Sequence, residues 1–257
     1  MKREILKKHL LVIIAVLIIL PVLGQDNNEK TEETTNSGWQ IDVTPYLWLA
    51  GAKVDIGFRS ADIGQIKADF TDILQNLKLA AFFHAEAKNG KWMVIGDLAY
   101  VKVKKEGNLE LMDAPVPTKL EVKETITELA VGYNFHNNED AFLIDGFAGW
   151  RYIGLDNYMT VNSVEVLDRF YTANDPFIGA RFKINYEAWM FSMRGDIGGF
   201  GIGSESSWKL NLLGAYQFSD LFSLYFGIQS FGVDIEKNDF NIDVMNTGLA
   251  FGGNFRF

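Results

Sequence analysis

Fifteen charged side chains recur on one face of short alternating segments, and they carry most of the chemistry this chain has to offer. Seven are acids (Asp42, Glu86, Asp97, Glu124, Glu128, Asp145 and Asp196) and eight are bases (Lys78, Lys88, Arg151, Arg181, Lys183, Arg194, Lys209 and Arg256), so the set is nearly neutral. Around a water-filled passage, arginines and facing carboxylates would line a polar solute pathway. Across a narrow lumen the same groups would pair and plug it, because unpaired buried charge is costly. His84 stands two residues before Glu86 on the same face, an arrangement in which a carboxylate can orient an imidazole base. No Ser lies nearby in sequence to serve as a nucleophile, and a lumen hydrogen-bond network accounts for both residues. Glu124 and Glu128 resemble the paired acids of hydrolytic sites, yet opposite Arg and Lys they read more simply as salt-bridge partners.

Other chemistries are excluded more sharply. The chain has no Cys, which removes disulfides, thiolate metal sites and a Cys nucleophile together. No His/Asp cluster has metal-ligand spacing, so neither a metal nor a cofactor is expected, and the chain reads as a non-enzyme. Gly195-Asp196-Ile197-Gly198-Gly199-Phe200-Gly201-Ile202-Gly203 has the glycine density of a phosphate cradle but lacks the strand-to-helix turn that such a cradle needs. Glycines that let a strand coil and bend explain it. The net charge of −9 argues against a nucleic-acid partner.

The elements that position these charges follow from period-two alternation. Ten segments carry it: 39–50, 77–88, 91–104, 120–135, 141–154, 177–187, 188–200, 207–218, 221–235 and 241–257. The face opposite the charges is apolar in each, for example Leu79, Ala81, Phe83, Ala85 and Ala87, or Trp189, Phe191, Met193, Gly195 and Ile197. No central position of that face is charged. A soluble β-sandwich also alternates, but here the aromatics form two belts. Trp39, Trp92, Phe135, Phe142, Tyr186, Trp189, Phe218, Phe222 and Phe257 meet tight turns or a terminus at one end, whereas Tyr100, Tyr152 and Trp208 fall near the other. Two belts bounding a charge-free band describe an all-β antiparallel transmembrane barrel. Ten strands close it, with eight or twelve as alternatives, and the charged face lines the lumen. The mean hydropathy of +0.01 therefore hides a membrane protein, because alternation averages to zero.

The connections divide the same way. Tight turns at Lys88–Lys91, His136–Asp140, Tyr186–Ala188 and Ser219–Asp220 face long connections at 59–76, 106–119 and 156–176, the asymmetry of periplasmic turns and external loops. Ala52–Phe58 and Ile63–Asp69 are too short to span a membrane and should form a hairpin projecting beyond it. Asp69 or Thr71 can cap a short helix in this first external loop, either constricting the mouth or packed on the hairpin. At the N-terminus, Lys2, Arg3, Lys7 and Lys8 precede an apolar run from Leu10 to Leu20, then Pro21 and a Val22-Leu23-Gly24 cleavage site. This is a secretory signal peptide over 1–24, since the run falls short of the ~20 residues of a spanning helix. Its removal would take four bases and one acid and leave a net charge of −12. Residues 25–38 lack aromatic and branched aliphatic side chains and read as a disordered periplasmic lead-in to the barrel over 39–257.

The last residues, LAFGGNFRF, end on Phe257 with Phe255 and Phe251 on the same face. They resemble the C-terminal assembly signal of Gram-negative outer-membrane barrels, with Gly253 at a position more often hydrophobic. That resemblance implies insertion by the barrel-assembly machinery, with outer-membrane lipid as the other partner. VTPYLWLAG (43–51), DFTDILQNLKLAAFFHAEAKNGKW (69–92), DPFIGARF (175–182) and MRGDIGGFGIGSESSWKL (193–210) resemble an uncharacterised, porin-like family of outer-membrane barrel proteins. The resemblance implies a fold and an address, the cell outer membrane, but no activity. Three roles stand as expectations: a narrow passive channel or small-solute translocator lined by the charged residues and His84, a structural or surface-interaction barrel without transport, and a barrel hydrolase.

Overall fold

In the computed structural model, residues 38–58, 61–111, 114–138, 141–237 and 240–257 are described. The expected signal peptide (1–24) and all but the last residue of the expected lead-in (25–38) lie outside them. Among the described residues, eleven strands and one helix follow in order. Strand β1 is Gln40–Phe58, β2 Ala61–Ala68, α1 Phe70–Asn76, β3 Leu77–Asn89, β4 Trp92–Leu111 and β5 Ala114–Asn138. Then come β6 Phe142–Val161, β7 Val164–Tyr186, β8 Trp189–Gly199, β9 Ser206–Ser219, β10 Phe222–Lys237 and β11 Phe240–Arg256.

Each strand from β3 pairs antiparallel with the next, β1 pairs with β3, and β11 returns to β1, closing ten strands. The closing seam is tight: Gly248 faces Ala50, and a Cβ at Gly248 would lie 2.0 Å from the Leu49 carbonyl oxygen. The eleventh strand, β2, pairs only with β1, from Ala52↔Ala68 to Phe58↔Ala61, which is the projecting hairpin expected from its length. Helix α1 is the expected first-loop helix. Asp69 caps it by accepting the Asp72 N–H at 2.8 Å, and the helix lies against β1, β2 and β4 with no buried residue. It is a surface element on the hairpin, not a constriction.

The apolar face points outward, where a bilayer replaces the missing core. Leu129, Val131, Ile178, Ile184, Phe191, Phe226 and Leu249 are all exposed, and they meet in register as Val94↔Val131, Ile184↔Phe191 and Ile228↔Leu249. The aromatic belt at the end with the short turns is built of touching rings. Trp92 meets Tyr133 at 5.0 Å and Tyr133 meets Phe135 at 5.3 Å. Trp189, Tyr216 and Phe218 follow at 4.9 Å spacings, and Phe222 contacts Phe255 at 5.2 Å.

Turn chemistry sets the registers. Gly90 has φ +58° and Lys91 has no positive φ, so the turn closing Asn89↔Trp92 is of the type with glycine at its first central position. Asn162 and Ser163 both have positive φ and join Val161↔Val164 as a two-residue hairpin.

Two expectations are corrected. The segments 106–119 and 156–176 are not loops: β4–β5 pair up to Leu111↔Ala114, and β6–β7 up to Val161↔Val164. Lys78 does not join the lumen, because a register irregularity between Leu77 and Leu79 leaves it exposed.

Candidate functional site

The lumen holds two kinds of layer. Pleated alternation carries one side chain in two inward, and antiparallel registry then stacks like charges side by side: Asp42↔Glu86, Asp97↔Glu128 and Arg181↔Arg194. Such neighbours repel, and opposite charges offset them both in register, as in Glu128↔Arg151, Asp145↔Arg181 and Asp42↔Arg256, and across the lumen. Arg181 of β7 reaches Glu86 of β3 at 2.5 Å and its neighbour Asp145 at 2.7 Å. Arg151 binds Glu128 at 2.8 Å and also Asp196, and donates to Ser207 Oγ at 3.1 Å. Arg194 bridges Glu128 at 2.8 Å and Asp196 at 2.9 Å. Lys209 meets Glu128 at 3.1 Å and Asp97 at 3.4 Å.

His84 continues the network, with Nδ1 3.1 Å from Asp97 and Nε2 3.8 Å from Glu86. Below it, Lys88 links Glu86 at 3.0 Å to Asp42 at 3.5 Å, and Arg256 binds Asp42 at 2.9 Å. Lys183 stands 3.8 Å from Glu86. Of the sixteen lumen candidates named from the sequence, fourteen therefore join one connected set, Lys78 and Glu124 being the exceptions. Glu124 sits one layer higher and accepts a hydrogen bond from Asn246 Nδ2 at 2.6 Å. The assembly-signal aromatics Phe251 and Phe255 face outward, and Phe257 is exposed.

The second layer is mostly apolar, with Gln229 and the Glu124–Asn246 pair as its polar members. Tyr46, Trp48, Phe82, Ala99, Ile126, Ile153, Leu155, Ala173, Phe231, Val233, Ile235, Val244 and Ala250 form one buried cluster on the side of the ion network away from the short-turn end. Two groups tie the layers together: Tyr46 donates to Asp97 at 3.2 Å, and the Arg151 guanidinium lies 5.4 Å from the Phe231 ring centre. A smaller apolar knot of Met93, Ile95, Ala130, Phe147 and Phe177 packs within the ionic layer, where Arg194 covers Phe147 and Arg151 covers Phe177. Arg151, Ile153 and Phe231 are each 0% exposed, and Glu128 and Asp145 2%, so water does not reach these side chains. The sequence reading missed this apolar layer. Its signal was present: Tyr46, Trp48, Ile126, Ile153, Phe231 and Val233 occupy the charge-bearing face at its outer end.

Asp175 was also missed, because it fell in an expected loop. It is fully buried on β7 and accepts from Ser204 N at 2.8 Å and Ser204 Oγ at 2.6 Å. The glycine-rich run thus ends in a turn that folds inward onto β7. Glu205 N–H donates to the Asp234 carbonyl at 2.9 Å, tying the same turn to β10. Strand β9, not a helix, follows it, so the run lacks the strand-to-helix turn of a phosphate cradle. Among the described residues no group of three or more His, Cys, Asp or Glu is arranged to hold a metal ion.

Among solved structures, the outer-membrane protease OmpT from Escherichia coli aligns with 89% of this chain and 99% of its own at 10% identity, with a TM-score of 0.51. Ail, the attachment invasion locus protein of Yersinia pestis, aligns with 86% of this chain and 99% of its own at 9% identity and a TM-score of 0.41. OprG from Pseudomonas aeruginosa aligns with 86% and 96% at 13% identity and a TM-score of 0.35. The OmpT likeness shows the fold: a closed, antiparallel, outer-membrane type of β-barrel. No model of a known protein family matches the sequence, and neither does any curated protein.

Proposed function

We propose that this chain is a sealed outer-membrane barrel that works through its external surface and not as a conduit. The observation that carries this reading is the two-layer filling of the lumen, an ion network topped by an apolar cluster. At about eight strands side chains just fill a barrel interior, and ten strands are filled here by large residues such as Arg151, Phe231 and Trp48. A polar solute entering from the ionic side would have to break charge pairs and then cross a mostly apolar layer whose few polar groups, Glu124 and Asn246 among them, already bond each other, which costs several kcal/mol.

Its placement in the outer membrane is supported by the charge-free outer band and its aromatic belt. The surface on offer is the tall wall of β4–β7, strands of 20, 25, 20 and 23 residues, where about ten span a bilayer. A hydrolytic reading gains little support, since His84 is engaged by two carboxylates beneath the apolar layer.

Liposome swelling tests the proposal. Vesicles carrying the folded barrel should swell in small sugars no faster than protein-free vesicles. Sugar entry that scales with the amount of barrel would overturn it.

A further inference from the structure

Just beyond the outer aromatic border, β4 and β5 place two lysines directly opposite each other. Lys102 pairs in register with Lys123, one row beyond Tyr100↔Thr125 on the same outward face. Like charges so placed repel unless an anion sits between them. The resident anion is one oxygen: Glu121 Oε1 lies 2.9 Å from Lys102 Nζ and 3.6 Å from Lys123 Nζ. Two ammonium groups therefore converge on a single anionic oxygen at the surface. Asp156 holds Lys123 from the other side at 2.7 Å, and this contact pushes the Lys123 pKa up. Hydroxyls stand just below. Thr125 faces outward, opposite Gly154, and a Cβ on Gly154 would lie 3.0 Å from the Tyr152 hydroxyl, so the Tyr152 ring reaches up over that glycine. Ammonium pairs edged by hydroxyls suit a phosphate.

We propose that Lys102 and Lys123, with Tyr152 and Thr125, bind a phosphate of a phosphorylated glycolipid in the outer leaflet. The site's height argues for a membrane lipid over a free anion: acyl chains lie along the apolar band below, and the first charged row meets the headgroups. The whole-chain charge is −9, but this patch of Lys102, Lys104, Lys119 and Lys123 against Glu106, Glu121 and Asp156 is positive by one. Displacing Glu121 is easy, because exposed ion pairs contribute only about 0–1 kcal/mol. A phosphate monoester carries about −1.5 to −2 at neutral pH and makes the stronger partner. The inference rests on the barrel's place in the outer membrane and is independent of whether its lumen is sealed.

The test uses the full folded barrel in detergent with three probes: bis-phosphorylated lipid A, the same lipid with both phosphates removed, and inorganic phosphate. Bound lipid is read by quantitative mass spectrometry and by the rise in unfolding temperature. Lipid A should bind and stabilise in a salt-sensitive way, and the other two probes should do neither. K102Q/K123Q should weaken lipid A binding roughly 25-fold, about one ammonium contact's worth for each lysine, while leaving the heat-modifiable folded form intact. E121Q removes the competing carboxylate and should tighten binding. Equal binding of the dephosphorylated lipid, stabilisation by inorganic phosphate alone, or unchanged affinity in K102Q/K123Q would each overturn the proposal, as would weaker binding in E121Q.

Discussion

Arg151 shows what the interior asks of a single residue. Its guanidinium has no exposure and is shared among Glu128, Asp196 and Ser207, with Phe177 and Phe231 against its faces. Removing one partner from a buried charge set leaves the others uncompensated, typically at about 3–5 kcal/mol. Arg151→Ala should therefore lower stability by about that much in urea unfolding of the micelle-bound barrel, whereas R151M/E128Q should lose less. A loss below about 1 kcal/mol for Arg151→Ala would mean that water reaches this layer. At this scale the sequence revealed which residues face inward, because alternation alone decides that. It did not reveal partners. Arg181 and Glu86 are 95 positions apart on strands that do not pair, and only closure of the barrel brings them together. Asp175 stayed hidden for another reason: it fell in a segment read as a loop, and its partner, Ser204, lies in a turn whose inward fold no period-two pattern records.

The strands run past the membrane further than their sequences advertised. Pro115 and Pro117 make the tip of β5 look like a loop, but they lie beyond Thr118, where pairing with β6 begins, so one side of the strand needs no N–H there. The Asn162-Ser163 turn likewise read as part of a long connection until its positive φ values showed a hairpin. On the opposite side of the barrel the extension carries three acids in one row, Asp55↔Asp243↔Asp234. Burial, then Asp234 and Asp55, push the Asp243 pKa up, and burial followed by Glu236 raises that of Asp234. Asp55 is lowered instead, chiefly by its hydrogen bond from Lys53.

The raised pair binds protons more tightly in the paired extension than in the open chain. Pairing should then strengthen as pH falls through their raised values toward the ordinary Asp value of about 3.9. Below that value Asp55 opposes the trend, since its stabilising contribution is lost as pH falls through its depressed pKa. Amide protection factors for residues 53–57 and 241–244 should consequently be higher near about pH 4.5 than near about pH 7. Protection that grows with pH over this range would contradict the arrangement.

Across the whole molecule the walls are unequal: β8 and β9 have 11 and 14 residues, and β4–β7 have 20 to 25. The low side is covered by the turn that Asp175 and the Asp234 carbonyl hold down, and the high side presents the lysine row and the hairpin tips. Fold and address were legible because the bilayer imposes a strict pattern on every strand. The state of the lumen was not, because a charged inner face is compatible with either a passage or a plug. Side-chain packing now favours the plug. Single-channel recording in planar bilayers tests this most directly, comparing the native barrel with a variant whose apolar layer is thinned by I153G and F231G. The native barrel should give no stepwise current at moderate voltage, and the thinned variant should give measurable leak. Stable, reproducible conductance steps from the native barrel would contradict a sealed lumen.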